Sequence, residues 1–277
     1  MSVVWESGVE RGDRMADFLE QTYGSLAGAE VLDIGSGGGG ISLAFARRCK
    51  SVTSADNLLE SLLAVKARPD VEAQKNMRFT NLDAAALPFR AASFDLVILN
   101  GVIEWVGYGS PAEPARAVQL RCLREIRRVL RPGGRLYLGS ENPWFPKHVL
   151  KDPHNSLPLV GLMPRPVKDL ACRILKGRPY RNNIYSHWRL ARMIRRAGFT
   201  AVQPFMPIYA YHFPFAIRSL DDPAAMLDAV QHLPADGLSP EYLKAGGGGP
   251  RTAWFYRTII RLRLAKLLCH SLVEIAS

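Results

Sequence analysis

The chain has 277 residues, of which 48% are hydrophobic, so it can form one large domain or a domain with inserted segments. No apolar run reaches the roughly 18 residues of a membrane span, and the N-terminus lacks the basic start and apolar stretch of a signal peptide. The four cysteines are widely spaced, with no Cys-x-x-Cys pair. Free thiols in a reducing cytoplasm are therefore expected.

The net charge of +11 is concentrated in the second half of the chain. Residues 1–140 contain 17 Lys/Arg and 16 Asp/Glu, whereas residues 141–277 contain 19 and 9. This asymmetry points to an anionic partner, such as an acidic substrate, a phosphate-bearing carrier, a membrane surface or nucleic acid. A solvated, arginine-rich surface is the alternative interpretation.

The first half alternates strand and helix signals. Hydrophobic periodicity predicts helices at 11–23, 41–49, 58–68 and 113–130, and strands at 30–34, 51–55, 77–81, 94–99 and 135–140. Repeated strand–helix units imply right-handed crossovers and a doubly wound, mostly parallel sheet with helices on both faces.

The pattern changes after Ser140, where proline-rich residues 141–183 predict an inserted segment. A helix and a strand return at 184–206, a second insert spans 207–269, and 270–277 forms the final strand. The second insert contains a glycine stretch at 246–249 and a basic amphipathic helix at 252–268. That helix is expected to dock on the sheet, with peripheral contact at the inner membrane surface as the alternative.

A glycine-rich turn follows the first strand, in the run Val31-Leu32-Asp33-Ile34-Gly35-Ser36-Gly37-Gly38-Gly39-Gly40. Glycines let the backbone bend tightly and present bare N–H groups to a ligand at the end of a strand. The spacing also fits a dinucleotide fingerprint, which by itself is a weak signal.

Carboxylates at the ends of three strands discriminate between ligands. Asp33 precedes the glycine turn, where it would repel a pyrophosphate and attract an ammonium or a sulfonium group. Asp56 ends the second strand and can accept from ribose hydroxyls, and Asp83 follows the third strand, where it can accept from an adenine amine. This edge of a parallel sheet is where α/β proteins bind ligands.

With these motifs, the chain resembles the class I (Rossmann-like) S-adenosylmethionine-dependent methyltransferases. The other matching pieces are Leu87-Pro88-Phe89, the run from Ser93 to Asn100, the run from Leu130 to Gly134, and a later helix ending in Ala-Gly-Phe. The resemblance implies a seven-stranded sheet and S-adenosyl-L-methionine as cofactor. One departure is Glu104-Trp105, where many relatives have Glu-His.

The resemblance also assigns the cofactor-binding residues. Backbone near the turn would cradle the methionine portion, Asp56 and its neighbour would bind the ribose, Asp83 and its neighbour would flank the adenine, and Asn100 would line the methyl-donor pocket. The expected cofactor-binding set is Asp33, Gly35, Ser36, Gly37, Asp56, Asn57, Asp83, Ala84 and Asn100.

In this family the methyl acceptor is usually bound by added segments, and the two inserts occupy those places. His148 and His154 are the candidate general bases, because an imidazole can accept a proton near neutral pH; a packed or surface histidine is the alternative for each. Together with Asp152 they have poor ligand spacing, so no metal site is predicted. Other residues expected either to line the acceptor pocket or to pack in the core are Tyr185, His187, Tyr209, Tyr211 and His212.

The leading hypothesis is an enzyme that methylates a small molecule, or a carrier-linked sugar or lipid, at oxygen or nitrogen by in-line displacement. An RNA or DNA methyltransferase is an alternative, although Asn100-Gly101-Val102-Ile103 differs from the Asn/Asp-Pro-Pro-aromatic motif of base-amino methylation. A non-catalytic S-adenosylmethionine-binding scaffold and an NAD-dependent oxidoreductase are the others, and Asp33 disfavours the last.

Overall fold

A computed structural model of the chain describes residues 2–109, 113–154, 157, 159, 163–233 and 250–277, with the backbone alone at 2–7 and 250. The strands in these ranges are β1 (Glu30–Ile34), β2 (Ser51–Asp56), β3 (Met77–Asn81), β4 (Phe94–Asn100), β5 (Leu130–Glu141), β6 (Val202–Ala210), β7 (Phe213–Ser219) and β8 (Ser271–Ala276).

The eight strands form one sheet in the order β3-β2-β1-β4-β5-β8-β6-β7. Strands β1 to β5 pair in parallel, β8 lies antiparallel between β5 and β6, and β7 is antiparallel to β6. The predicted doubly wound, mostly parallel α/β sheet is confirmed. Because β1 to β4 are parallel, their carboxyl ends meet at one end of the sheet.

The sheet has one strand more than the predicted seven. The predicted strand ends at residue 206, where the second insert begins, yet β6 continues to Ala210 and turns into the edge strand β7. Pro207 lies beyond the segment of β6 that pairs with β8, and Pro214 lies on the edge strand itself. Proline is tolerated at both places because no interior ladder hydrogen bond is lost.

Helices cover both faces of the sheet. They are α1 (Ser2–Tyr23), α2 (Gly40–Ala46), α3 (Leu59–Lys66), α4 (Pro69–Glu72), α5 (Ala115–Val129), α6 (Pro146–Leu150), α7 (Arg165–Lys176), α8 (His187–Arg196), α9 (Pro223–Gln231), α10 (Pro250–Arg261) and α11 (Ala265–Leu268). The strand alternation of side chains sends Leu32 and Ile34 into the core beneath α5 and α8, and Val31 into the core beneath α1 and α2.

Glycines let α1 approach α2 closely. A Cβ on Gly12 would lie 2.6 Å from the Ala44 side chain, and one on Gly40 would lie 2.5 Å from the Gly8 backbone. Real Cβ atoms do not approach other atoms this closely, so larger residues would force the helices apart. The close contact holds α1 beside the turn that follows β1.

The two predicted inserts take different forms. Residues 141–183 contain α6 and α7 and form a segment that we call the cap, although part of its predicted proline-rich run (155–156, 158 and 160–162) lies outside the described residues. Residues 207–269 instead contribute β7 and helices α9 to α11, while the predicted glycine stretch at 246–249 also lies outside them. The proposed domain boundaries stay a prediction.

The amphipathic helix predicted at 252–268 consists of α10 and α11, which pack on the protein. Tyr256, Ile259 and Ile260 are at most 3% exposed and share a cluster with Met226 and Val230 of α9. The apolar face of this helix is therefore buried against the protein, as the first of the two alternatives predicted. No helix within the described ranges is both long and apolar enough to cross a bilayer.

Candidate functional site

The turn between β1 and α2 requires glycine at several positions. The backbone is left-handed at Gly35, Gly37 and Gly39, with φ of +71°, +51° and +75°. A Cβ on Gly35 would lie 2.3 Å from the Val102 side chain, and the Gly35 amide donates to the Ala55 carbonyl at 2.8 Å. The turn is thus anchored to the end of β2 in one conformation.

The outer side of this turn is open. A Cβ on Gly38 would meet no described atom within 4 Å, and one on Gly37 would meet only the Gly35 carbonyl oxygen at 4.0 Å. The Ser36 hydroxyl is buried and finds no hydrogen-bond partner among the described residues. Bare backbone beside an unsatisfied hydroxyl forms a cradle suited to a ligand.

Asp56 closes the turn from the end of β2. Its two carboxylate oxygens accept from the Gly37 amide at 2.8 Å and the Leu58 amide at 2.9 Å. Each oxygen has a second lone pair, so a ribose hydroxyl can still donate to it. The neighbouring Asn57 is exposed. The predicted ribose contact stays a prediction, and Asp56 has a structural role beside it.

Asp33 lies deeper than the sequence suggested. Its carboxylate is 2% exposed and accepts from the Ser42 hydroxyl of α2 at 2.6 Å. Strand alternation explains this, because Asp33 points with Val31 toward the α1–α2 face rather than out of the strand end. Burial raises the pKa of Asp33 to about 6, against the Ser42 hydrogen bond and the Arg11 charge. The Asp33 carboxylate is therefore not open to solvent at the end of the strand, and its cofactor contact stays a prediction.

Asp83 and Ala84 lie at the end of β3, beyond Asn81. Asp83 is exposed, and one of its carboxylate oxygens accepts from the Ala85 amide at 2.9 Å. Ala84 is half-buried and packs against the core beneath α5. This loop continues the edge formed by the glycine turn and Asp56, so the adenine assignment stays a prediction that the backbone topology supports.

Asn100 ends β4 with its side chain unsatisfied. Its Oδ1 and Nδ2 atoms are both buried and find no partner within the described part of the chain. The side chain lies over Gly139 of β5, where a Cβ would approach Oδ1 to 2.0 Å. A buried amide with four unused hydrogen-bonding positions indicates a polar ligand at this point.

Arg11 of α1 lies in the same part of the molecule, and the sequence analysis did not predict it as a site residue. Burial lowers the pKa of Arg11, while the neighbouring Tyr211, Asp33 and Tyr137 raise it. Its Nε is buried with no hydrogen-bond partner among the described side chains and backbone. The sequence did contain a signal for Arg11. It lies one turn before Met15, on the buried stripe of α1, and a buried cation needs a partner.

A second group of titratable side chains lies beside Asn100, at the ends of β4 and β5. Glu104 is 1% exposed, and the Tyr211 hydroxyl lies 3.4 Å from its Oε1. The Tyr211 ring covers Gly101, where a Cβ would approach it to 2.7 Å. Burial raises the pKa of Glu104 to about 8, with a further contribution from Glu141. Glu104 is therefore mostly protonated at pH 7.

Glu141 ends β5 among histidines. His154 Nε2 lies 3.4 Å from its Oε2, and His212 Nε2 lies 3.9 Å from its Oε1. Burial is the largest influence and favours the neutral acid, but His212, His148 and His154 together hold the pKa of Glu141 below its usual value. Glu141 is therefore an ionised partner for the His154 ring.

His148 has a packing role. Its Nδ1 lies 2.8 Å from the Asn142 carbonyl oxygen, and its ring packs against Phe145 and His270. Burial lowers the pKa of His148 and lowers that of His270 to about 3. Because its Nδ1 is engaged with the backbone, His148 is a weaker candidate base than His154.

Trp105, the departure from the family pattern, packs on the candidate base. Its ring lies 4.8 Å from the His154 ring and 5.7 Å from that of Tyr108, and 47% of the residue is exposed. Trp105 therefore forms an aromatic surface at the rim of the site and is not a core residue.

Three residues expected to line the acceptor pocket or to pack in the core are engaged in other contacts. The Tyr185 hydroxyl donates to Gln119 at 2.5 Å, within the core beneath α5. His187 lies 2.6 Å from buried Glu274, and Tyr209 packs in the α9–α10 cluster. Only Tyr211 and His212 of that set join Glu104 and Glu141, because the turn after β6 brings them to the ends of β4 and β5.

Replacing Asp56 with alanine removes the acceptor for two backbone amides and for the predicted ribose contact. We expect Asp56→Ala to weaken S-adenosylhomocysteine binding, measured by calorimetry, by ~1.5–3 kcal/mol, or about 10- to 150-fold. Glu60→Ala, on the exposed side of α3, is the control. Unchanged affinity in a folded Asp56→Ala protein would remove Asp56 from the site.

The raised pKa of Glu104 predicts a pH-dependent stability. Between its ordinary value of 4.5 and its folded value of about 8, the folded state holds a proton that unfolding releases. This contribution to stability is full below pH 4.5 and is lost as the pH rises through 8, at up to about 1.4 kcal/mol per pH unit. Glu104→Gln should therefore show a shallower fall in unfolding free energy than the wild type.

Denaturant titrations of both proteins between pH 5 and 8 check this, with exposed Glu60→Gln as control. Parallel curves for the wild type and Glu104→Gln would contradict the assignment.

Comparisons with known proteins identify a methyltransferase domain in this chain. Residues 32–138 match the family model described as a methyltransferase domain. A demethylmenaquinone methyltransferase of Lactococcus lactis is 34% identical over 130 residues, 44% of this chain and 46% of that protein. A ubiquinone biosynthesis O-methyltransferase of Leptothrix cholodnii is 31% identical over 127 residues, 46% of this chain and 50% of that protein. The alignments thus span about half the length of these relatives.

Solved structures share the fold. The [4+2]-cyclase SpnF superposes with a TM-score of 0.51 at 17% identity, over 95% of this chain and 80% of that one. The YcgJ protein from Bacillus subtilis gives 0.50 at 19% identity, over 94% of this chain and 96% of that one. One of these two proteins is a cyclase by name, so the fold alone does not identify the reaction.

The geometry fits S-adenosylmethionine, the cofactor of the family. The turn after β1 offers an open backbone cradle, carboxylates follow β2 and β3, and Asn100 has unsatisfied polar atoms at the end of β4. Residues 32–138 thus match a methyltransferase domain, and the sheet that contains them has the fold of the class I S-adenosylmethionine-dependent methyltransferases.

Proposed function

We propose that the chain transfers a methyl group from S-adenosylmethionine to a hydroxyl oxygen of a small aromatic molecule bound beneath the cap. One observation supports this most directly. A buried group adjoins Asn100, whose side-chain amide has no described hydrogen-bond partner; the group consists of Glu104, Tyr211, Glu141 and His154. A cofactor side and a proton-accepting side thus meet at the ends of β4 and β5.

Bound S-adenosylmethionine supplies a methyl group that its sulfonium already activates. The protein has to hold the acceptor oxygen in line with the S–CH₃ bond and to exclude water, and such positioning contributes ~7–11 kcal/mol. The half-exposed Trp105 and the His154 ring form an aromatic wall for a planar acceptor.

His154 serves as the general base in this proposal. Its Nε2 takes the hydroxyl proton as the oxygen–methyl bond forms and the sulfur–methyl bond breaks. Glu141, 3.4 Å away and ionised, stabilises the resulting imidazolium. Glu104 is largely protonated at pH 7, and in this proposal it donates a hydrogen bond to the methyl acceptor from the side opposite His154. Two carboxylates with pKa values pushed in opposite directions are typical of acid–base sites.

Arg11 binds the carboxylate of the cofactor's methionine portion in this proposal. Its guanidinium is buried beside Asp33, and its Nε has no partner in the described ranges. An anionic group is the partner that such a cation requires.

The acceptor class follows from the site and is supported by the relatives' names. Two relatives are named for demethylmenaquinone and ubiquinone biosynthesis. The acceptor side contains Glu104 and Glu141 rather than arginines, so we propose an uncharged acceptor instead of the anionic one that the net charge suggested. Reaction at nitrogen remains the variant within this class.

We place the reaction in the cytoplasm. All four cysteines lie in the described chain, are buried and form no disulfide, which is compatible with a reducing compartment. Nucleic-acid methylation and a purely binding role are the alternatives that product analysis distinguishes: methylated RNA would support the first, and tight cofactor binding without turnover of any acceptor would support the second.

The base is tested by turnover of a panel of phenols and catechols with S-adenosylmethionine. We expect His154→Asn to lower kcat by about 100-fold or more while leaving S-adenosylhomocysteine affinity unchanged. Activity should recover as the pH approaches about 10, where a phenol ionises without help. His232→Asn, on an exposed histidine at the end of α9, is the matched control. Full activity of His154→Asn at pH 7 would refute the role.

The carboxylate contact is tested with two ligands that differ in that group. Arg11→Gln should weaken S-adenosylhomocysteine binding by about 10-fold or more, because a charge-assisted pair is lost. Methylthioadenosine, which lacks the carboxylate, should bind both proteins equally. Equal losses for the two ligands would show a structural effect instead.

A further inference from the structure

Helix α7 in the cap carries its apolar side chains on the outside. Val167, Leu170 and Ile174 are 47%, 58% and 73% exposed. With Ala171, their spacing of three and four residues places them on one face of the helix. We call Val167, Leu170, Ala171 and Ile174 the apolar ridge.

The inner side of α7 is attached by polar contacts. Arg165 donates to the Tyr180 carbonyl oxygen at 2.7 Å, and Asp169 accepts from the Tyr180 amide at 3.0 Å. Only Cys172 of the helix is fully buried, packed with Leu157 and Tyr180. These contacts fix the rotation of α7, so the ridge cannot turn inward without breaking them.

The ridge has basic surroundings. Residues 165–181 contain six Lys/Arg and one acidic residue, Asp169. Lys168 and Arg173 lie on the two flanks of the ridge, with Arg173 also paired to Asp169 at 2.8 Å. Lys176 lies in the last turn of α7, and further arginines follow it. An apolar stripe flanked by cations is the pattern of helices that lie in the surface of an anionic bilayer.

We propose that α7 docks the protein on an anionic lipid surface, with the ridge inserted at the boundary between head groups and acyl chains. A second copy of the chain is a poorer occupant, because a two-fold contact would bring both sets of cations together. An anionic bilayer satisfies the apolar face and the charges at once.

The inner face of α7, opposite the ridge, is connected to the candidate base. The Tyr180 hydroxyl donates to Asp152 at 2.8 Å, and Asp152 accepts from the His154 amide at 3.0 Å. Two side chains, those of Tyr180 and Asp152, therefore link the inner face of α7 to the backbone of His154.

The test is flotation with vesicles of phosphatidylcholine containing 30% phosphatidylglycerol, and with phosphatidylcholine alone. Wild-type protein should bind the anionic vesicles, and binding should fall by about 5-fold or more when salt is raised from 0.1 to 0.5 M. Leu170→Ser with Ile174→Ser should lower the partition coefficient by about 10-fold or more.

Trp254→Ser with Leu262→Ser is the matched control, because these α10 and post-α10 side chains are 68% and 63% exposed. That pair should bind vesicles like the wild type, and both pairs should keep the wild-type melting temperature. The readout is independent of methyl transfer.

Several outcomes would overturn the proposal. They are no binding to anionic vesicles, binding unaffected by the ridge pair, and loss of binding in the α10 pair alone. A wild-type dimer in solution that the ridge pair dissociates would make a second copy the occupant instead.

Discussion

The hydrogen bond from the Gly37 amide to Asp56, at 2.8 Å, joins the turn after β1 to the end of β2. The cofactor side of the site depends on this contact, because it holds a run of left-handed glycines in one conformation with their outer side open. A charge-assisted bond is strong enough to offset the conformational freedom of glycine. The same carboxylate keeps unused lone pairs, so under the proposed function one residue would both shape the turn and accept from the ribose.

The acceptor side contains two buried carboxyl groups whose surroundings differ. Glu104 is buried, with the Tyr211 hydroxyl 3.4 Å from its Oε1, and burial raises its pKa to about 8. Glu141 is also buried, but three histidines hold its pKa below the usual range. The environment thus divides two chemically identical groups into a donor and an acceptor. Arg11 and Asn100 each have buried polar atoms that find no partner among the described residues. We expect bound ligands to supply those partners.

The cap connects this chemistry to the surface of the molecule. Its helix α7 is attached by polar contacts and exposes an apolar ridge, the reverse of an ordinary surface helix. The basic second half of the chain contributes the cations beside that ridge, whereas the acceptor side is rich in Glu and His. Residues 165–181, with six Lys/Arg and one Asp, hold about half of the excess positive charge of residues 141–277.

The sequence by itself determined the alternating strands and helices, the glycine turn and the places of Asp56, Asp83 and Asn100, because each depends on local periodicity or on the end of one strand. Only the tertiary structure decided the edge strand β7, the buried position of Asp33, the arrival of Arg11 from α1 and the meeting of Glu104, Glu141, His154 and His212. Those residues are distant in the chain, and their proximity results from the order of strands and the packing of the cap. Their protonation depends on the burial that this packing creates.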